Sequence, residues 1–78
     1  MATGTGREER VFVFVGCFQG IIEEVEVYHS ESRARRAFKR YTGVSYRDVI
    51  RAADDGEAPA AVLGEKLEDC RIFETALR

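Results

Sequence analysis

Cys17, His29 and Cys70 are the only cysteine and histidine side chains in this chain of 78 residues. They are all it offers as soft metal ligands or thiol nucleophiles. A structural zinc site takes four ligands, usually as two closely spaced pairs. Here no two of the three lie within four positions of each other. A nucleophile and its base must come within hydrogen-bond reach. In a hairpin over residues 11–28, Cys17 lies at the turn and His29 at the open end, so the two are expected to stay far apart. Both cysteines are expected as small buried thiols. They would approach each other only if the strands carrying them are neighbours.

Carboxylates are the next resource. Glu24 and Glu26 alternate with Val25 and Val27. On a strand they share one face, a geometry that suits a divalent cation or an acid–base pair. Asp54 and Asp55 precede Gly56 in a loop. Neither group has the spacing of a known ion-binding loop, and alternating Glu also keeps an edge strand soluble. A small metal-dependent hydrolase is therefore only a second alternative. No catalytic, cofactor-binding or metal-ligating residue is assigned, and no cofactor is implied.

The third feature is basic. Residues 30–51 carry seven basic side chains against two acidic ones, while the rest of the chain holds five basic against twelve acidic, for a net charge of −2. In "SESRARRAFKRYTG" the spacing puts Arg33, Arg36 and Arg40 on one side of a helix, with Arg35 and Lys39 one turn apart beside them. Such a row can contact successive phosphates. No recognition motif or Gly-rich phosphate loop accompanies it, and the acidic remainder would repel a polyanion. A nucleic-acid-binding protein that uses the basic helix over residues 31–42, with Arg33, Arg35, Arg36, Lys39 and Arg40 on phosphates, is thus the first alternative and not the favoured reading. The favoured one is a solvated helix face, partly neutralised by the chain's own carboxylates or by a partner's.

The elements that must position these residues are legible from pattern. Residues 11–17, "VFVFVGC", are β-branched and aromatic and read as a strand. Phe18 to Gly20 form a turn, for which Gly16 and Gly20 can supply positive φ. Residues 21–28 make a second strand with Glu24 and Glu26 on a wet face and Val25 and Val27 on a buried one. A helix follows, with Ser30 or Ser32 at its N-terminus, an apolar stripe of Ala34, Ala37, Phe38 and Tyr41, and Gly43 as its stop. Ser45 and Asp48 resemble a shortened capping box for a two-turn helix. Residues 60–63 give a helical turn ended by Gly64, and 70–77 a third strand.

The fold expected is α+β: a single-layer antiparallel or mixed three-stranded sheet, β-β-α-α-β in order 2-1-3, with the helices on one face. Residues 1–8 are expected as a flexible tail and 9–78 as one domain.

That arrangement raises a question of cover. The all-apolar strand lies at the centre of the sheet, and one helical layer covers only one of its faces. The other face is expected to pack on a second copy of the chain, with Phe12, Phe14, Tyr28 and Phe73 as the contact residues. Another protein is the second choice of partner. No apolar run approaches membrane-spanning length and the start lacks the apolar core of a signal peptide. With 45% hydrophobic and 33% charged residues and two cysteines, the expectation is a cytoplasmic, non-catalytic binding or regulatory module.

Overall fold

A computed structural model describes residues 9–77; the tail expected over residues 1–8 lies outside them. Strand β1 (Glu9–Phe18) and strand β2 (Ile21–Tyr28) form the hairpin. Its two-residue turn has positive φ at Gln19 (54°) and Gly20 (79°), the backbone of a primed hairpin turn whose twist suits the flanking strands. Helix α1 (Glu31–Thr42), helix α2 (Tyr46–Asp54) and the short α3 (Ala60–Leu63) follow. A 3₁₀ turn over Glu65–Leu67, not anticipated from sequence, leads into strand β3 (Arg71–Leu77). The sheet is antiparallel throughout, in the order β2-β1-β3, so the apolar strand is central.

Local signals set most of the boundaries. Gly43 ends α1 in the left-handed region (φ 78°), and its N–H donates to the Lys39 carbonyl at 2.7 Å. The expected side-chain caps are not formed. Ser30 Oγ meets Ser32 Oγ at 2.8 Å instead of a helix N–H. At α2, Asp48 N–H donates to the backbone carbonyl of Ser45, with no side-chain cap bond.

Which face the helices cover is the main correction to the pattern-based reading. The register pairs Phe14 with Glu26 and Ile72, and Phe12 with Tyr28 and Glu74. Directly opposed residues of an antiparallel pair share a face. Phe14 is fully buried in the core with Ala37, Phe38, Leu63 and Cys70, against which Tyr28, Tyr41, Tyr46 and Ile72 pack. The helices therefore cover the phenylalanine face, and Glu24 and Glu26 lie on that same side. Val13, Val15, Val25, Val27 and Phe73 lie on the other.

Geometry accounts for this choice. A helix is about 10–12 Å wide, whereas three strands at a spacing of about 4.8 Å span roughly 14 Å with their margins. Helix α1 lies mainly across β1, so the margin at β2 stays wet enough for glutamates. Aromatic packing fixes the centre. The Phe14 ring meets Phe38 edge-on at 6.1 Å and Tyr41 at 5.7 Å, and Phe38 meets Tyr46 at 4.8 Å. Gly16 permits the approach, because a Cβ there would stand 3.1 Å from the Tyr41 ring. It is not among the positive-φ glycines, so its role is close packing, not the turn.

Candidate functional site

An open strand face is built by the same alternation that builds the core. Opposite β1, the pairs Val13↔Val27 and Val15↔Val25 on one side and Val13↔Phe73 and Val15↔Arg71 on the other set a continuous apolar surface. Val25 is 58% exposed, Val27 60% and Phe73 47%. At the turn end Ile22 belongs to the same surface, and its neighbours Ile21 and Phe18 are exposed as well. There the face dips into a depression of roughly 360 Å³ lined by Val15, Cys17, Ile22, Asp69, Arg71 and Phe73. The Arg71 guanidinium lies 5.7 Å from the Phe73 ring and borders the apolar area with charge. A β-bulge contributes to the shape. The register shifts after Gly16↔Glu24 to Cys17↔Ile22, leaving Glu23 unpaired on β2.

Of the four residues expected on this contact face, only Phe73 belongs to it. Phe14 is fully buried beneath α1, and Phe12 and Tyr28 are half-buried on the helix side. The valines take their place. Alternation in β2 was visible in sequence; which side the helices would choose was not.

The residues singled out for chemistry are dispersed. Cys17 pairs with Ile22 near the turn, whereas His29 follows Tyr28, the partner of Phe12 at the far end. Six strand steps at about 3.3 Å each separate them by ~20 Å. His29 is exposed and lies 3.6 Å from the Glu9 carboxylate. Both cysteines are buried free thiols. Their contact is specific: Cys17 N–H donates to Cys70 Sγ at 3.1 Å, and the Cys70 thiol donates to the Cys17 carbonyl at 2.9 Å. Strand pairing with β3 ends at Val15↔Arg71, so the thiol satisfies the next exposed peptide group on that edge. Gln19 N–H, one step further, donates to the Lys66 carbonyl at 2.7 Å. Burial pushes the Cys70 thiol up from its usual pKa.

The carboxylates do not converge. Glu23 accepts a hydrogen bond of 2.5 Å from the Tyr41 hydroxyl, which, with burial and the carboxylate charge behind it, raises the Tyr41 pKa to about 12. Glu26 is exposed, Glu24 half-buried, and Asp54 and Asp55 lie at the end of α2. Among the described residues no three His, Cys, Asp or Glu side chains are grouped so that they could hold a metal ion.

The basic residues separate into two kinds. Arg33, Arg36, Lys39 and Arg40 are exposed on α1. Arg35 is half-buried, 3.6 Å from the Glu31 carboxylate and 5.6 Å from the centre of the Tyr46 ring. It belongs to the packing of α1 on α2, a distinction that spacing alone does not make. Among the described residues, no helix is long and apolar enough to cross a membrane. Comparison with protein-family models, with curated proteins and with solved structures found no match.

Proposed function

We propose that this chain is a non-catalytic binding or regulatory module of the cytoplasm that works as a homodimer, two sheets packed through their valine faces. The observation that carries this is the orientation of β2. Its glutamates lie on the side the helices cover, and its valines lie on the other side, each more than half exposed among the described residues. A strand patterned this way makes physical sense when a second layer lies on the valines. A second copy is the occupant argued for. The face is apolar at its middle with charge at its border, and a two-fold axis sets each copy's valines against the other's. A chain this short also gains from sharing a core. Free thiols suit a reducing compartment.

The size of the face sets the expected strength. Seven residues along β3, at about 3.3 Å each, by three strands give a planar area on the order of 300 Å². That is small beside the ~800 Å² per partner of a standard interface. A weak dimer that dissociates on dilution is the expectation. Light scattering during size exclusion, over a range of loading concentrations, should give twice the chain mass at the upper end and approach the chain mass on dilution. The double variant Val25→Lys, Val27→Lys should stay at the chain mass throughout. These are exposed positions on an outer strand, where lysine is well tolerated. Wild-type protein at the chain mass at every concentration would overturn the proposal and pass the face to a different protein.

A further inference from the structure

The valine face leaves the opposite side of the molecule unexplained, and that side carries the charge. Arg33, Arg36, Lys39 and Arg40 are all exposed on α1. Arg33, Arg36 and Arg40 follow the i, i+3, i+7 spacing that keeps side chains on one helix side, over a length of about 10 Å. None of the four has a carboxylate within ion-pairing distance among the described residues, whose arginine–carboxylate pairs are Arg10–Glu74 and Arg35–Glu31. The chain holds more acidic than basic side chains overall, yet no described carboxylate pairs with this row. Four adjacent exposed cations raise the local positive potential, which favours an anionic partner.

We infer that the outward side of α1 is a nucleic-acid contact surface, on which Arg33, Arg36, Lys39 and Arg40 take phosphodiester groups of the backbone. Three of the four are arginine, whose planar fork matches phosphate oxygens two at a time. The row is long enough for about two consecutive phosphates of one strand and carries no aromatic platform facing outward, so contact is with the backbone and is indifferent to base sequence. Because α1 covers the face of the sheet away from the exposed valines, the row stays accessible with or without a dimer. A dimer would carry two such rows on opposite outer sides. The inference is independent of the dimer: the valine variants remove one and leave the other.

Contact with about two phosphates predicts an affinity that falls with a log–log salt slope of about −1.5, between −0.7 and −0.9 per phosphate. The acidic remainder keeps the binding weak, in the micromolar range or above. The test is fluorescence anisotropy of a labelled DNA single strand and of its duplex, titrated with the full chain at about 50 to 200 mM salt. Two double variants carry the same change in net charge. Arg36→Gln with Arg40→Gln removes half the row, and should weaken binding on the order of tenfold or more. Ala53→Glu with Ala61→Glu places the same charge change at exposed positions off α1, and should weaken it far less. Circular dichroism confirms that both fold. Absence of salt-dependent binding would overturn the inference, as would equal weakening by the two variants. Tighter binding of a labelled poly-glutamate peptide than of either DNA would overturn it in favour of an acidic protein.

Discussion

Tyr41 shows how a single hydroxyl can join three elements. It stands on α1, its ring lies against Gly16 of β1, and its hydroxyl donates to Glu23 of β2. The bond to Glu23, followed by burial and the negative charge of that carboxylate, pushes the phenol from 10.0 to about 12. The sign of the linkage follows. Below pH 10 the phenol keeps its proton in both folded and unfolded chains, and the bond contributes in full. Between pH 10 and 12 only the folded chain holds the proton, so stability falls as pH rises through that window. A spectrophotometric titration should show a tyrosinate component that appears last, near pH 12, and Glu23→Ala should move it down towards 10. If every component stays where it was in that variant, Glu23 does not hold the phenol. Cys70 differs in cause, since burial pushes its thiol up from its usual pKa. Its thiol closes the hydrogen-bonding of Cys17 where β3 stops, in place of a peptide group that the chain has already turned away.

At the scale of elements, Gly16 decides how closely helix and sheet meet. Alanine there would favour an extended backbone by roughly 0.5–1 kcal/mol over glycine. Against that, its Cβ would stand 3.1 Å from the Tyr41 ring and 3.3 Å from Glu24 Cβ. The ring has little room to give, held by Glu23 at one end and packed on Phe14. Overpacking of this kind costs about 1–3 kcal/mol, so it wins. Gly16→Ala should lower stability by about 1 kcal/mol in urea unfolding, and unchanged or raised stability would mean that the helix shifts freely. The sequence pattern announced Gly16 only as a glycine beside a turn, because a close approach comes from the partner element and leaves no local mark. Other features were legible for the opposite reason. The limits of β2 follow from alternation, the end of α1 from a glycine suited to positive φ, and the central place of β1 from an unbroken apolar run that an edge strand would not carry. Alternation cannot say which of two faces is inside when both are apolar on β1. That is why Phe12, Phe14 and Tyr28 were expected on the contact face that Val13, Val15, Val25 and Val27 in fact form.

Taken as a whole molecule, the chain is layered: an apolar face, a sheet, a helical layer with an aromatic core beneath it, and a basic outer surface. The two outer surfaces differ in what drives association. The valine face gains by excluding water and the α1 row by neutralising phosphate, so they respond to different variables, protein concentration for one and salt for the other. If the valine face is closed by a second copy, folding and association are linked, and the thermal midpoint must rise with protein concentration. For a weak dimer, moving from about its dissociation constant to a hundredfold above it adds roughly 2 kcal/mol. In a domain of this size each kcal/mol shifts the midpoint by about 4–8 °C, giving a rise on the order of 10 °C. Calorimetry or circular dichroism over two decades of concentration measures it. Val25→Lys with Val27→Lys should flatten the dependence while leaving the midpoint at high dilution close to that of the wild type, since those side chains contribute little to the monomer's own core. Arg36→Gln with Arg40→Gln should leave it unchanged. A wild-type midpoint that does not move with concentration would show that the exposed valines are borne by the monomer alone, and that the sheet face awaits a different partner.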